Sequence, residues 1–180
     1  MGDVMKVIVS AGGTGGHIYP ALSVIHELKK DKTCEILYIG TSDRMESKIV
    51  PEKGIDFVGL TMSGLSKNII SDIKNIHNIS SSYKKCIKIM KEFKPDFVLG
   101  FGGYVTFPVI MAAHKLGIKS GLHEQNKLPG KTNRFLSKYA YVTFSSFEGC
   151  ESEFKNKVIV SGNPCGQNAI NTKVKRKLSF

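Results

Sequence analysis

A chain of 180 residues can bury one substantial core and is short for two domains. Its 41% hydrophobic and 23% charged residues are ordinary for a soluble globular protein, and no apolar run approaches the ~18 residues that would cross a bilayer. The net charge of +11 favours an anionic partner, such as a phosphorylated substrate or an anionic lipid surface. No zinc-finger, basic-zipper or RNP pattern accompanies the charge, so we expect no nucleic-acid partner. A plain anion-binding domain attracted to nucleic acid by its basic charge is the alternative with the least support.

The cysteines and histidines show no metal-binding pattern. Cys34, Cys86, Cys150 and Cys165 stand far apart without a C-x-x-C pair, and the five histidines lack ligand spacing with them or with each other. The N-terminus also lacks a basic segment followed by an apolar one, so we expect no signal peptide. We therefore expect reduced thiols in a cytoplasmic protein, with neither a metal ion nor another cofactor.

Apolar runs and helical patterns alternate along the chain. The runs predicted to be buried parallel strands are residues 4–10, 35–40, 56–60, 97–100, 118–123, 141–145 and 158–161. Helices are predicted at residues 18–30, at a short segment that Ser42 or Asp43 caps and that stops before Pro51, and at residues 69–91, 106–116 and 131–139. This alternation predicts an α/β fold with a Rossmann-like, doubly wound parallel sheet of about seven strands over residues 1–164. Residues 165–180 are predicted to be a polar, basic tail, either disordered or leading into a further domain.

Glycines and polar residues follow four of the predicted strands, at residues 12–17, 100–104, 123–126 and 162–164. Ligands of open parallel sheets bind at the carboxyl ends of the strands, so these clusters are predicted to border one cleft. In the first cluster, four glycines let the backbone approach an anion, and the following helix N-terminus favours negative charge. His17, placed first in that helix, would stand beside a bound phosphate or sugar. The same residues could also form a purely structural turn capped by the histidine.

Three nucleotide or hydrolase signatures are absent. The dinucleotide fingerprint fails because Ile18 stands at its third glycine position and no acid follows Ile39-Gly40-Thr41. Neither G-x-x-x-x-G-K-[ST] nor G-x-S-x-G occurs. We therefore expect no useful affinity for NAD or ATP. Two glycine turns that face one cleft suit a bound diphosphate, and the histidine beside them would lie near a hydroxyl group of the substrate.

Several stretches resemble the MurG family of bacterial peptidoglycan glycosyltransferases. They lie at residues 11–21, 40–46, 63–65, 100–105, 123–126 and 162–164, in the order and spacing of the family. The resemblance implies the N-terminal, acceptor-binding half of a two-domain GT-B architecture, without the C-terminal donor-binding domain. It also implies an inverting enzyme that uses no metal. Such an enzyme transfers N-acetylglucosamine from UDP-N-acetylglucosamine to the 4-hydroxyl of the muramyl sugar of undecaprenyl-diphosphate-linked lipid I, forming lipid II.

The same resemblance implies roles for individual residues. His17 would be the general base, and Glu124 is the next catalytic candidate. The acceptor diphosphate would be held by Gly12, Gly13, Gly15, Gly16, Gly102, Gly103 and Tyr104. The donor would be contacted by Thr14, Gly15, Gly16 and Asn126.

One position departs from the family pattern. Where the family has an arginine that contacts the donor, this chain has Gly166, which removes a bidentate phosphate ligand. We therefore expect the chain alone to be inactive. An alternative is a non-catalytic, membrane-recruiting subunit that works with a separate donor-binding chain.

The resemblance also implies a peripheral protein on the cytoplasmic face of the cell membrane, bound to its anionic surface. The apolar candidates for that contact are Ile69, Ile70, Ile73 and Tyr83, flanked by Lys67, Lys74, Lys84 and Lys85. The same isoleucine stripe would serve equally for packing a helix on the sheet.

Overall fold

The described residues form one seven-stranded, wholly parallel sheet. The computed structural model describes residues 4–62 and 69–165, with the side chains of residues 69–76 outside that description. The strands are β1 (Met5–Ser10), β2 (Cys34–Thr41), β3 (Asp56–Leu60), β4 (Phe97–Gly100), β5 (Ser120–Glu124), β6 (Val142–Ser145) and β7 (Lys157–Val160). Their order across the sheet is β3-β2-β1-β4-β5-β6-β7, and each neighbouring pair is parallel. The predicted doubly wound α/β fold is confirmed.

Helices cover both faces of the sheet. They are α1 (Gly15–Leu28), α2 (Glu46–Glu52), α3 (Ile69–Phe93), α4 (Thr106–Lys115) and α5 (Lys131–Leu136), with a 3₁₀ turn at Glu151–Glu153. Alternate residues of β1 divide the core: Ile8 packs with α3, α4 and α5, whereas Val7 and Val9 pack with α1 and α2. Within the described residues, none of the helices is long and apolar enough to cross a membrane.

Helix α1 begins three residues earlier than predicted. Thr14 is its N-cap in an extended conformation, and Gly15 and Gly16 form its first turn. Glycine has a low helix propensity, but the first helical turn tolerates it because the backbone there is held by few intrahelical bonds. His17 is therefore the third residue of the helix, and the prediction that it comes first is wrong.

The other helices also differ from the prediction at their ends: α1 ends at Leu28, α3 at Phe93 and α4 at Lys115, each one or two residues from the predicted end. Helix α2 includes Pro51 and ends one residue later, at Glu52, so the proline lies in its last turn. Pro51 has no N–H and gives up one helical hydrogen bond there. Its N-cap is Met45, so neither Ser42 nor Asp43 caps it. Helix α5 ends at Leu136 instead of residue 139.

The strand order places the candidate site. β1 and β4 are neighbours in the sheet although α1, β2, α2, β3 and α3 separate them in sequence. The two glycine turns follow these two strands and so emerge side by side at the point where the winding direction reverses. The N–H of Phe101 donates to the carbonyl of Ser10 at 2.8 Å and continues the β1–β4 pairing into the turns.

Candidate active site

The first glycine turn runs from the end of β1 into α1. Gly13 has a φ of +87°, which a side chain would strain. The N–H groups of His17 and Ile18 donate to the carbonyl of Thr14. Within the described residues, the N–H groups of Gly15 and Gly16 donate no hydrogen bond and lie at the positive end of the helix dipole. This turn therefore offers two free donors to an anion.

The second glycine turn, after β4, lies directly against the first. Gly102 and Gly103 have φ values of +96° and +80°. A β-carbon on Gly103 would stand 2.5 Å from the carbonyl oxygen of Gly12, so only glycine allows the turns to come this close. The hydroxyl of Thr106 donates to the carbonyl of Gly102 at 2.7 Å and holds the turn on α4. The structure thus brings both predicted diphosphate-binding turns together.

Exposure divides the predicted diphosphate residues into two groups. Gly12 and Gly102 are buried and set the shape of the turns. Gly102 packs against the ring of His17. The others have surface open to a ligand: Gly13, Gly15, Gly16, Gly103 and Tyr104. Among the predicted donor residues, Thr14, Gly16 and Asn126 are exposed.

The half-buried ring of His17 lies between the turns. Its Nδ1 is 3.2 Å from the carbonyl oxygen of Gly12 and 3.2 Å from the hydroxyl of Thr14. A carbonyl oxygen only accepts hydrogen bonds, so the bond to Gly12 requires the proton on Nδ1. Nε2 then keeps its lone pair, and no described residue bonds to it. This nitrogen lies close to Gly102, where an added β-carbon would be 3.1 Å away. The arrangement suits a ring that accepts a proton at Nε2.

Glu124 is fully engaged by its own loop. One carboxylate oxygen accepts the backbone and side-chain N–H groups of Asn126 at 3.0 and 3.1 Å. The other accepts the N–H of Gly130 at 3.0 Å and the side chain of Asn133 at 2.9 Å. The carboxylate is almost completely buried, so this geometry suits a residue that orders the β5–α5 loop and places Asn126. Of the two predicted catalytic candidates, only His17 keeps a polar side-chain atom without a hydrogen bond to the described residues.

Sequence reasoning missed a buried polar network behind the loop. Gln125 donates to the carbonyl of Phe101 at 3.0 Å, and Asn133 donates to the carbonyl of His123 at 3.1 Å. These bonds tie β5 and α5 to the second glycine turn. The only sequence signal for Asn133 was an amide side chain on the helix face that the spacing assigns to the core.

Several buried polar atoms at this edge of the sheet have no partner among the described residues. They include Ser10 Oγ, Glu46 Oε2, Tyr104 Oη, Gln125 Oε1 and Asn133 Oδ1. Native proteins rarely leave such groups unpaired, and exceptions concentrate where a ligand or function needs them. Their residues all border the strand ends that carry the glycine turns.

The fourth predicted cluster lies beside His123 and not beside the glycine turns. His123 Nε2 bonds to the carbonyl of Gly162 at 3.2 Å, and its Nδ1 accepts from the side chain of Gln125 at 3.2 Å. A cavity of about 580 Å³ lies between α1 and this region. It is lined by His123, Gly162 and Pro164 and by Phe101 of the second glycine turn, but by none of the predicted catalytic, diphosphate-binding or donor-binding residues, so we give it no part in the chemistry.

We expect His123 to make the stability of the protein sensitive to acid. Burial lowers the pKa of His123 below its ordinary value of 6.5, and the bond to Gly162 and the charge of Glu124 only partly oppose this. The unfolded chain therefore binds an extra proton below pH 6.5. We expect the free energy of unfolding to fall on acidification below that pH, by up to ~1.4 kcal/mol per pH unit from this group.

Urea unfolding at pH 7.5, 6.5 and 5.5 checks this expectation. His123→Gln should flatten the acid dependence relative to the wild type, and His77→Gln, at an exposed histidine, should not. Equal slopes for the wild type and His123→Gln would contradict it.

A family model matches most of the chain. Residues 7–145 match the glycosyltransferase family 28 N-terminal domain. The geometry defines the class of protein: an α/β domain in which two glycine turns lie side by side at the switch point of a parallel sheet. The chain belongs to glycosyltransferase family 28.

Three similar proteins narrow the resemblance within this family. A Pediococcus pentosaceus protein is 47% identical over 163 residues, which are 89% of this chain and 45% of the relative. A Finegoldia magna protein is 48% identical over 164 residues, which are 89% of this chain and 44% of the relative. Both are named UDP-N-acetylglucosamine--N-acetylmuramyl-(pentapeptide) pyrophosphoryl-undecaprenol N-acetylglucosamine transferase. The crystal structure of Acinetobacter baumannii MurG superposes with a TM-score of 0.76 at 30% identity, covering 88% of this chain and 46% of that one.

These relatives confirm the predicted resemblance to the MurG family. The chain spans about half the length of the curated relatives that it matches. A Staphylococcus aureus MnaA structure with UDP has a TM-score of 0.70 at 18% identity, and it supports the fold alone.

Proposed function

We propose that this chain is the acceptor-binding half of an inverting glycosyltransferase. The whole enzyme would transfer N-acetylglucosamine from UDP-N-acetylglucosamine to undecaprenyl-diphosphate-linked lipid I, forming lipid II. The observation that carries the proposal is the contact between Gly12 and Gly103, which joins two glycine turns beside His17. The names of the relatives supply the substrates.

In this proposal, the acceptor diphosphate binds across the two turns. The free N–H groups of Gly15 and Gly16 donate to its oxygens, and the α1 dipole adds to the attraction. Gly13, Gly103 and Tyr104 line the same surface, and Gly12 and Gly102 act by shaping it.

His17 would then act as general base. Its Nε2 takes the proton of the 4-hydroxyl as that oxygen bonds to the anomeric carbon and UDP leaves with the electrons of the broken bond. The Nδ1–H bond to Gly12 holds the ring with this nitrogen free. Glu124 would place Asn126 beside the donor sugar.

The donor side of the site would be completed by a second half. Thr14, Gly15, Gly16 and Asn126 would touch the donor from this chain, and a C-terminal domain would bind most of UDP-N-acetylglucosamine. Gly166 stands outside the described residues. The chain's span of about half its relatives supports this division.

We propose that the protein acts at the cytoplasmic face of the cell membrane, to which it binds as a peripheral protein. Most of the predicted apolar patch at residues 67–74 lies outside the described side chains, and Tyr83 is half-buried against the core. On α5, the partly exposed ring of Phe135 has Lys138 5.7 Å from its centre and Lys131 one turn away. Basic side chains around an aromatic ring suit an anionic lipid surface.

We expect the chain to bind vesicles that contain anionic phospholipid and to be released as salt is raised. Each cation near the surface contributes about 1 kcal/mol, so Lys131→Ala with Lys138→Ala should weaken binding roughly 30-fold. Vesicle sedimentation measures the loss of binding. The matched control pair is Lys32→Ala and Lys53→Ala, two exposed lysines just before β2 and β3, on the other side of β1 in the sheet order. Equal binding to neutral vesicles, or none at low salt, would count against the membrane proposal.

The proposed function is tested by transfer of radiolabelled N-acetylglucosamine to a lipid I analogue. The chain alone should show no measurable transfer, because donor and acceptor must be held in one orientation. Joined to the C-terminal half of a relative, with arginine in place of Gly166, it should become active. Full activity of the chain alone would refute the proposal that it is one half of an enzyme. Activity only when a separate donor-binding chain is recruited to vesicles would favour the recruiting-subunit alternative.

A further inference from the structure

Glu46, at the start of α2, is an unusually placed acidic residue. Its side chain is fully buried. Fully buried glutamates normally have a charged partner, but none of the ion pairs among the described residues includes Glu46. Its Oε1 accepts the N–H of Thr41 at 3.1 Å and the hydroxyl of Thr41 at 2.5 Å. Its Oε2 has no partner among the described residues.

Two glycines make room for this side chain. A β-carbon on Gly12 would overlap Glu46 Oε1, and one on Gly40 would lie 2.7 Å from Glu46 Cγ. The carboxyl group therefore fills the space between the end of β2 and the first glycine turn. It reaches the strand end where a dinucleotide enzyme has its ribose-binding acid, but here the side chain is fully buried.

The Gly12 peptide connects Glu46 to His17. Its α-carbon rests against the carboxyl group, and its carbonyl oxygen accepts from His17 Nδ1 at 3.2 Å. The same carbonyl lies against Gly103. Gly12 is thus held from three sides, and a shift of its peptide would move the acceptor that orients the histidine.

We propose that Glu46 is a positioning residue for His17, acting through the Gly12 peptide; this rests on the proposed role of His17 as base. Thr41 anchors the carboxyl group on β2, and the carboxyl group supports Gly12. The carbonyl of Gly12 then keeps the proton on Nδ1 and leaves Nε2 free. Glu46 itself touches no substrate.

The tautomer of His17 tests the proposal without any transfer reaction. Nitrogen-15 NMR of the chain at pH 8 should show His17 protonated at Nδ1. Glu46→Ala should raise the ratio of the Nε2-protonated to the Nδ1-protonated form of His17 roughly fivefold. This is the change in ratio that the loss of one typical hydrogen bond produces. Glu46→Gln keeps the oxygen that Thr41 contacts and should preserve the wild-type ratio. The control is Glu52→Ala, which removes an exposed acid from the same helix.

Thr41→Val keeps the proposal falsifiable if Glu46→Ala does not fold. It leaves the carboxyl group in place but removes the hydroxyl anchor, and it should shift the ratio in the same direction. An unchanged ratio in Glu46→Ala, or in Thr41→Val where the first variant is unfolded, overturns the proposal. A joined enzyme without transfer activity would instead overturn the proposed function and leave the tautomer result standing.

Discussion

Replacing His17 by alanine in the joined enzyme should lower the turnover number by ~10²–10⁴-fold, the usual contribution of a positioned base. The acceptor KM should change far less, because a base acts on the transition state and the glycine turns bind the ground state. The structure supports this separation, since the ring bonds to Gly12 and Thr14 while Gly15 and Gly16 offer their N–H groups independently.

Radiolabelled sugar transfer at varied acceptor concentration separates the two parameters. His77→Ala, at an exposed histidine, is the matched control and should leave both unchanged. Unchanged turnover in His17→Ala would remove His17 as the base and leave Glu124 as the remaining candidate.

Gly103→Ala should lower the free energy of unfolding by about 2–5 kcal/mol. Two effects add: a β-carbon in the left-handed region, and its overlap with the carbonyl of Gly12, which is backbone and cannot rotate away. Against a total stability of about 5–15 kcal/mol, this is a large fraction. Urea unfolding at neutral pH measures it.

Gly117→Ala separates the two effects. Gly117 has a φ of +69°, but a β-carbon there would meet no atom within 4 Å. Gly117→Ala should therefore lower the free energy of unfolding by the conformational strain alone, about 1–2 kcal/mol. Equal losses in both variants would show that the contact between the glycine turns is loose.

The fold could be predicted because its signals are local. Buried parallel strands appear as continuous apolar runs, and the glycine turns stand out against them. The placement of both turns at one edge followed from the rule for parallel sheets. The start of α1 was misplaced because Gly15 and Gly16 are weak helix formers, whereas the extended Thr14 starts the helix before them.

The interior of the site could not be predicted, because it depends on contacts between distant segments. Glu46 and Asn133 are polar, and residue type alone would place both at the surface, although the helical spacing puts Asn133 on the core face of α5. Each is buried because another element supplies its partners: Thr41 for Glu46, and His123 and Glu124 for Asn133. Likewise, nothing in the Glu124 segment alone shows that its carboxylate accepts four N–H groups.

The neighbouring positions of β1 and β4 have a consequence for how the protein is made. β1 ends at Ser10, and its partner β4 begins only at Phe97, so one edge of a central apolar strand stays unpaired while the intervening residues leave the ribosome. β2 and β3 can pair with β1 early, but the two glycine turns meet only once residue 103 has emerged. Chains that stop before β4 therefore expose a strand edge open to association with other chains. Ribosome-bound chains that end between β3 and β4 are therefore expected to need protection from association.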